Sequence, residues 1–339
     1  MTDTHHVIIG NGASANRAAD VLRDGDPSAR ITLISDEFFP FYFRHRLIGF
    51  ATGDLDEASL VARDPSVYKE RRIRPRLGQR VLKTDLATRT LYLAHMEKVR
   101  FTSLLLCAGS VPRIPEILHA SREHFATLKT LSDARRLRAL LPRLATVILA
   151  GGDLVGFRLA TALAGTGIAV RFIVDESAFW PLELSSSQRS SFCQSLATKG
   201  VEVIENSLRQ VEPDGSGGYR VTLASGQTIA ADLVGGFFGS RPDVDFLFGS
   251  GLDIERGILV DEYLKTNIEH VYAAGDCAQV YAPRIRNYWT SFGWANAERL
   301  GEVAAGNILG RHDAAAPKQS VLEVEGIQVT TPFWKEFET

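Results

Sequence analysis

The chain has 339 residues, of which 45% are hydrophobic and 23% are charged, and its formal net charge is -2. This length is sufficient for two packed domains. The nearly balanced charge gives no reason to expect nucleic acid or an anionic membrane surface as a partner. The sequence has no uninterrupted apolar run of about 18 residues, so no membrane-spanning helix is predicted.

The three cysteines, Cys107, Cys193 and Cys277, are far apart in the sequence. Their spacing excludes a CxxC metal or redox pair, and no other metal-ligand spacing occurs, so no metal site is predicted. The first residues have no signal-peptide pattern, and a low cysteine content suits a reducing compartment. We therefore expect a cytoplasmic protein.

The segment HHVIIGNGASANRAADVL (5–22) has the pattern of a dinucleotide-binding strand, turn and helix. Gly10 makes the tight turn, Gly12 lets a diphosphate approach the backbone, and Ala15 permits close packing of the helix on the strand. The helix start offers free N–H groups to phosphates. A second predicted strand, ITLIS (31–35), ends at carboxylates that suit ribose hydroxyls. The predicted contacts of this unit are Gly10, Gly12, Ala13, Ser14, Ala15, Asp36 and Glu37.

The same order of elements recurs in ATVILAGGDLVGFRLATALAGTGIAVRFIVDE (145–176). A predicted strand precedes Gly151, a helix follows Gly156, and a second strand ends at Asp175. Two such units in one chain are the usual arrangement when one nucleotide cofactor reduces another. Signals of the first unit return after about residue 255, so we expect the second domain to be inserted in the first.

Four further segments carry more specific patterns. They are SDEFFPFYFRHRLIGFATG (35–53), LLLCAGSVPRIP (104–115), ADLVGGFFGSRPDVDFL (231–247) and GILVDEYLKTNIEHVYAAGDCA (257–278). Together and in this order they resemble the FAD-dependent pyridine nucleotide-disulfide oxidoreductase superfamily. The first segment is similar to the FAD-contacting loop of one branch, which contains rubredoxin reductases, ferredoxin reductases and the flavin portion of assimilatory nitrite reductase.

The resemblance implies an α/β fold with two Rossmann-like, three-layer dinucleotide-binding domains, the second inserted in the first. The expected domains are an FAD-binding domain in two parts (1–115 and 246–315) and an NAD(P)-binding-like domain (116–245). Residues 316–339 form a short tail where the family usually has an interface domain, which is therefore largely missing. We expect this tail to pack on the FAD domain or on another polypeptide.

The resemblance also implies which residues contact the two cofactors. Arg44 would face the FAD diphosphate, where a guanidinium suits phosphate oxygens, and Asp276 would meet the ribityl–phosphate part. The other implied FAD contacts are Val81, Cys107, Ala108, Gly109, Arg113, Gly275 and Trp294. The implied NAD contacts are Gly151, Gly152, Asp153, Leu154, Val155, Asp175 and Gly239.

Asp153 departs from the family pattern, because it replaces the middle glycine of the second turn. It adds a Cβ and a negative charge where a diphosphate approaches; two unit charges at ~4 Å repel by about 4 kcal/mol at an effective dielectric of 20. Arg158, one helical turn later, would either neutralise Asp153 or itself hold a phosphate if the Asp153 side chain moves away. Asp175 at the strand end favours NADH over NADPH, because a carboxylate there repels a 2′-phosphate.

The redox cysteines of related enzymes are absent from the corresponding positions, so the flavin alone is expected to carry the chemistry. Cys107 and Cys277 are interpreted as apolar filler, and no side chain is predicted to be catalytic. The first functional hypothesis is an FAD-dependent enzyme passing electrons from NADH to a ferredoxin, a rubredoxin or an iron–sulfur subunit. The second is an FAD electron-transfer subunit with a degenerate nicotinamide site, and the third is a non-catalytic regulator that holds FAD. An oligomer is possible.

Overall fold

The computed structural model describes residues 4–94, 97–174, 184–284, 286–291, 293–316, 319–324, 327–332 and 334–336. Two five-stranded sheets form its framework, and all the strand pairs within these two sheets are parallel. The predicted α/β architecture with two Rossmann-like domains is therefore confirmed.

The chain begins with the first domain, crosses to the second and then returns. The first part contains β1 (His5–Ile9), α1 (Ala13–Gly25), β2 (Arg30–Ile34), α2 (Leu47–Thr52), α3 (Pro65–Glu70), β3 (Ile73–Arg76), β4 (Val81–Asp85), β5 (Thr90–Leu93), β6 (Lys98–Arg100), β7 (Ser103–Leu106) and β8 (Ser110–Pro112).

The second domain contributes the middle elements. They are β9 (Phe125–Ala126), α4 (Leu131–Leu140), β10 (Thr146–Gly151), α5 (Leu154–Leu163), β11 (Ala169–Val174), α6 (Ser186–Thr198), β12 (Glu202–Glu205), β13 (Leu208–Pro213), β14 (Tyr219–Leu223), β15 (Thr228–Ala231), β16 (Leu233–Gly236) and β17 (Ser240–Pro242).

The returning segment completes the first domain. It contains β18 (Ile258–Val260), β19 (Val271–Ala273), β20 (Ala278–Ala282), β21 (Asn287–Ser291), α7 (Trp294–Ile308), β22 (Gln319–Val324), β23 (Ile327–Pro332) and β24 (Trp334–Glu336).

The first sheet has the strand order β19–β7–β1–β2–β3. Its central strand β1 is buried from His6 to Ile9, which is why this strand reads as a continuous apolar run after its two histidines. Strand β19 comes from the returning segment and pairs with β7. One sheet therefore contains strands from before and after the second domain in the sequence, which confirms that the second domain is inserted in the first.

The second sheet has the order β12–β11–β10–β16–β9. Its strands β10 and β16 lie side by side, and both end near the second glycine turn. A two-stranded antiparallel connection of β8 with β17 links the two domains. The second turn is thereby held close to the segment that follows β7.

The smaller sheets complete the two domains. The antiparallel sheets β4–β5–β6 and β13–β14–β15 belong to the first and second domain respectively. In the tail, β22 and β23 form a hairpin and β24 pairs with β21 of the first domain. The tail thus forms three strands, and the last of them pairs with the FAD domain, one of the two packing partners that we expected. Within the described ranges, no helix combines the length and apolar character that a membrane span needs.

Arg23 near the end of α1 is buried, with only 7% of the residue exposed. Its guanidinium holds the adjacent loops together. It donates hydrogen bonds to the backbone carbonyls of Asp26, Pro27, Ala29, Arg71 and Arg72. One side chain therefore holds the α1–β2 connection against the start of β3. A buried polar group of this kind is costly to remove because its partners lose their bonds.

Replacing Arg23 with methionine is expected to lower the free energy of unfolding by about 2–4 kcal/mol, because several carbonyls lose their donor. Urea unfolding monitored by circular dichroism measures this change. Arg17→Met is the matched control, because Arg17 makes an exposed pair with Glu302 and its loss is expected to cost about 0–1 kcal/mol. Equal losses in the two variants would contradict this account of Arg23.

His6 is buried in β1, with its Nδ1 2.6 Å from the Ser103 hydroxyl. Burial lowers the pKa of His6, and the charges of His5 and Arg23 lower it further, while Asp26 opposes the shift. The folded protein therefore holds this imidazole neutral. As pH falls through the ordinary histidine pKa of about 6.5, the unfolded chain takes up this proton first, so stability decreases.

The His6→Gln variant is expected to show a smaller loss of unfolding free energy between pH 7.5 and about pH 5.5 than the wild type. Urea unfolding at a series of pH values measures the slope. His312→Gln, a change of an exposed histidine, is the control variant measured beside it. An unchanged slope in His6→Gln would show that other groups cause the acid sensitivity.

Candidate functional site

The first glycine turn joins β1 to α1 and lies against the end of β7. Gly10 has a φ of +120°, and a Cβ added there would lie 2.1 Å from the carbonyl oxygen of Cys107. Both facts require glycine at this position. The turn therefore brings Gly10 and Cys107, both predicted FAD contacts, into direct backbone contact.

Gly12 directly precedes α1 and has an ordinary φ of -87°. A Cβ added at Gly12 would meet no atom within 4 Å, so this side of the turn is open. Within the described part of the chain, no side chain caps α1. The first N–H groups of the helix are therefore available to an anion, as binding of a nucleotide diphosphate requires.

The start of α1 packs closely against the returning segment. A Cβ at Gly275 would lie 2.8 Å from Ser14 Oγ, and one at Gly301 would lie 2.2 Å from the Ser14 carbonyl oxygen. Ala13 and Ala15 are both buried in the same contact region. Two segments more than 250 residues apart in the sequence thus meet at one helix start, as the assignment of both to FAD requires.

Glu37, just beyond the end of β2, is paired within the protein. Its Oε2 accepts a hydrogen bond from the Tyr42 hydroxyl at 2.7 Å, and its Oε1 forms an ion pair with Arg44. Arg44 also donates to the Tyr42 hydroxyl and to the Lys129 carbonyl oxygen, each at 2.8 Å. Burial raises the pKa of Tyr42 and keeps its phenol protonated. The predicted roles of Glu37 on a ribose and of Arg44 on a diphosphate stay predictions.

A second polar cluster joins Asp276 to the second domain. Ser110 donates a hydrogen bond to Asp276 Oδ2 at 2.8 Å, and Lys129 Nζ donates to Ser110 Oγ at 2.7 Å. The ammonium also lies 3.8 Å from Asp276 Oδ2. Burial lowers the pKa of Lys129, while the charge of Asp276 opposes this shift. Sequence analysis missed Lys129, because it lies outside every recognised motif and only the fold brings it to Asp276.

The predicted ribose contact Asp36 is exposed, and its negative charge acts on the carboxylate of Asp243, which follows β17. Burial raises the pKa of Asp243, and the negative charges of Asp36 and Asp245 raise it further. The N–H of Asp243 donates to the Gly109 carbonyl oxygen at 3.0 Å. Gly109, with a φ of +74°, thus contacts the last residues of the second domain.

The remaining predicted FAD contacts differ in exposure. Val81 is buried at the start of β4, Ala108 is partly buried, and Arg113 is exposed. The N–H of Arg113 donates to the Gly239 carbonyl oxygen at 2.9 Å, so it touches a residue assigned to the second nucleotide. Trp294 begins α7 and stacks on Phe41, with ring centroids 5.1 Å apart.

The two cysteines next to the FAD segments are buried, free thiols. Burial raises the pKa of Cys277 to about 11 and also raises the pKa of Cys107. The Cys277 thiol lies 3.4 Å from the carbonyl oxygens of Leu106 and Ala274. Neither thiol is a thiolate at neutral pH, which agrees with their interpretation as small apolar filler.

The second turn, between β10 and α5, keeps its glycine geometry. Gly151 and Gly152 have φ values of +96° and +78°, and a Cβ at Gly151 would lie 2.5 Å from the Phe237 carbonyl oxygen. A Cβ at Gly156 would lie 2.7 Å from Phe237 Cβ, so this glycine permits close packing of α5 on the segment after β16. The backbone of a dinucleotide turn is therefore present.

Asp153 has a different partner from the one we expected. It is the N-cap of α5, and its carboxylate accepts hydrogen bonds from the N–H groups of Val155 and Gly156, each at 2.9 Å, and of Gly239 at 3.0 Å. Arg158 is exposed and contributes instead to lowering the pKa of His45, which burial and Arg46 also lower. The expected pairing with Arg158 is wrong because the nearest donors are backbone N–H groups.

The other predicted NAD contacts lie around this carboxylate. Leu154 is the first residue of α5 and is partly buried, Val155 is 38% exposed, and Gly239 has a φ of +84°. Asp175, on which the preference for NADH rests, lies outside the described residues.

The two nucleotide turns differ in what they offer a ligand. The first fits FAD by its own geometry, because the helix start beside Gly12 is open and uncapped, and because Gly10 and Gly275 allow close backbone approach. The second has the backbone of a dinucleotide turn, but the first N–H groups of α5 already bond to Asp153. A diphosphate would therefore have to replace this carboxylate.

Residues 4–297 match the family model described as pyridine nucleotide-disulphide oxidoreductase. The chain belongs to this family. It is an FAD-dependent oxidoreductase of the kind that uses a pyridine nucleotide, and its cofactors are FAD and NAD(H), as the sequence predicted.

Two curated relatives extend over most of the chain. The chain is 30% identical to the anthranilate 1,2-dioxygenase system ferredoxin–NAD(+) reductase component of Burkholderia cepacia, over 93% of the chain and 78% of the relative. It is 26% identical to the NADH-dependent phenylglyoxylate dehydrogenase subunit epsilon of Aromatoleum evansii, over 93% of the chain and 73% of that protein. The expected branch of the family is therefore confirmed.

A solved structure has the same fold. The ferredoxin reductase for the CYP199A2 system from Rhodopseudomonas palustris superposes with a TM-score of 0.86 at 24% identity, over 94% of this chain and 79% of that chain. This similarity supports the arrangement of the two domains.

Replacing Gly12 with alanine tests the open helix start, because the new Cβ has room in the protein but points into the proposed diphosphate space. We expect FAD affinity to fall about tenfold or more, with an unfolding free energy within about 1 kcal/mol of the wild type. Titration of the apoprotein with FAD, followed by flavin fluorescence, measures the affinity.

Gly10→Ala is the companion variant, because its Cβ would collide with the Cys107 carbonyl. It is expected to lose both FAD binding and thermal stability. If Gly12→Ala binds FAD as tightly as the wild type, the diphosphate does not lie at this helix start.

Proposed function

We propose that this protein oxidises NADH and passes the electrons through FAD to a separate redox protein, such as a ferredoxin, a rubredoxin or an iron–sulfur subunit. The observation that carries the proposal is the state of the two cysteines beside the FAD segments. Cys107 and Cys277 are buried, and burial raises both pKa values. Both are free thiols and are therefore already reduced, so neither can take electrons from the flavin, and the acceptor we propose is external.

The acceptor class is supported by the relatives. The relative at 30% identity is a ferredoxin–NAD(+) reductase component, and its match extends over 93% of this chain. When bound, FAD would supply the conversion of a two-electron hydride donor into single electrons, which ferredoxin-like acceptors need. The chain itself supplies position and charge.

We further propose the predicted FAD contacts as the residues that hold this cofactor. Gly10 and Gly12 would hold the diphosphate with the start of α1, and Asp276 would hold the ribityl chain. Lys129 is an addition to the predicted set, because its ammonium bonds Ser110, which bonds Asp276. Its role would be to position Asp276 and to add positive charge where the two domains meet. The predicted domain boundaries at residues 115, 245 and 315 are part of the same proposal.

A second candidate function is an FAD subunit that exchanges electrons within a larger enzyme without using NAD(P)H. One observation favours it, namely that the Asp153 carboxylate bonds the N–H groups at the start of α5. A relative named as subunit epsilon of an NADH-dependent dehydrogenase also matches 93% of the chain. The name of this relative supports a subunit role but also the use of NADH.

Anaerobic titration of the FAD-loaded protein separates the two candidates. We expect NADH to bleach the flavin absorbance rapidly and NADPH to do so more slowly. Added oxidised ferredoxin or rubredoxin should then restore the absorbance, because it takes the electrons from the reduced flavin. Stopped-flow absorbance measures both steps.

Dithionite reduction serves as the control, because it reduces accessible flavin regardless of the nucleotide site. If dithionite bleaches the flavin but neither NADH nor NADPH does, the first candidate is wrong and the subunit function is favoured. Failure of the protein to bind FAD at all would remove both candidates.

A further inference from the structure

The Asp153 side chain occupies the start of α5 in the manner of a bound anion. One oxygen, Oδ1, accepts from the N–H groups of Val155 and Gly156, each at 2.9 Å. The other, Oδ2, accepts from the N–H of Gly239 at 3.0 Å. Gly239 follows β16, so the carboxylate connects two elements that both border the second turn.

The first turn of the same chain provides an internal comparison. Both turns join a buried parallel strand to a helix through glycines with positive φ. At α1 the N-cap is Gly12 and the helix start is open; at α5 the N-cap is Asp153 and its carboxylate bonds the free N–H groups. The difference is therefore the presence of a built-in anion at the N–H groups that bind a diphosphate in this kind of turn.

The rest of the second turn is arranged for close approach. Gly151 cannot carry a Cβ without meeting Phe237 and Phe238, and Gly156 cannot without meeting Phe237. The N–H of Asp153 donates to the Phe237 carbonyl oxygen at 2.8 Å, which holds the turn in place. The backbone thus keeps the geometry of a nucleotide turn, and only the side chain at position 153 competes for its donors.

We propose that Asp153 is the residue that sets the affinity of the second site, because the diphosphate of NAD(H) must displace its carboxylate from the start of α5. This inference rests on the proposed use of NADH. Asp153 would therefore weaken the binding of ligands that carry a diphosphate. It would not affect the parts of the site that bind the adenosine and nicotinamide ends.

Lys129 offers a positive charge to the displaced carboxylate. Burial raises the pKa of Asp153, while its three N–H partners and the charge of Lys129 oppose the rise. Lys129 also bonds Ser110, which bonds Asp276 of the FAD segment. Lys129 therefore places a positive charge that acts on both Asp153 and Asp276.

Two substitutions at position 153 separate charge from helix capping. Asp153→Gly removes both the carboxylate and its Cβ; glycine is tolerated at an N-cap at a cost of a few tenths of a kcal/mol. Asp153→Ser keeps a neutral hydrogen-bond acceptor for the helix. Asp64→Gly is the control, because the exposed Asp64 caps α3 by accepting from the N–H of Ser66.

The measurement is isothermal titration of the FAD-loaded proteins with NAD⁺, with ADP-ribose and with adenosine. We expect Asp153→Gly to bind NAD⁺ and ADP-ribose about 10- to 100-fold more tightly than the wild type, and Asp153→Ser to show a smaller gain. Affinity for adenosine should be unchanged, because it has no phosphate. Asp64→Gly should match the wild type for all three ligands, and melting temperatures check that each variant is folded.

Unchanged or weaker binding of ADP-ribose by folded Asp153→Gly would overturn the inference. So would an equal gain for adenosine, because the effect would then not depend on the diphosphate, and so would a gain in Asp153→Gly with none in Asp153→Ser. The proposed function is tested separately by flavin bleaching of the wild type with NADH. If NADH bleaches the flavin but substitutions at position 153 leave ligand affinity unchanged, only the inference about Asp153 is wrong. If Asp153→Gly binds ADP-ribose more tightly but NADH bleaches the flavin in no variant, only the proposed function is wrong.

Discussion

The site depends on one property of the helix, namely that its first N–H groups have no partners within it. A turn of glycines after a parallel strand presents these groups at the sheet edge, where they can bond water, an anion or a capping side chain. This chain contains one helix of each kind. The helix after Gly12 is left open, whereas the helix after Asp153 is capped by a carboxylate of the chain itself.

Close backbone contacts provide the second constraint. Gly10 touches Cys107, and Gly275 and Gly301 touch Ser14, in each case at a distance that excludes a Cβ. These contacts bring three remote segments to one helix start and exclude bulky side chains from the space around it. In the family these segments are assigned to FAD. The contacts agree with that assignment, because a long dinucleotide needs backbone without side chains at several points along its length.

Charge at the domain junction connects the two sites. Arg44 and Lys129 contribute positive charge, and Glu37, Asp276 and Asp153 contribute carboxylates that act on Lys129. The buried thiols nearby stay protonated, so this region has hydrogen-bonding and charged groups but no reactive sulfur. Such an environment suits an enzyme whose redox chemistry belongs to its cofactor and whose protein part tunes binding.

The sequence alone determined the architecture, because glycine spacing and buried apolar strands reflect local backbone requirements that any α/β fold must meet. It also located both turns and identified Asp153 as the exceptional residue. The bond of Asp153 to the N–H of Gly239 and the proximity of Lys129 to Asp276 were decided only by the tertiary structure. These contacts join residues from different elements, and their distances follow from how two domains and a returning segment pack, which no local pattern contains.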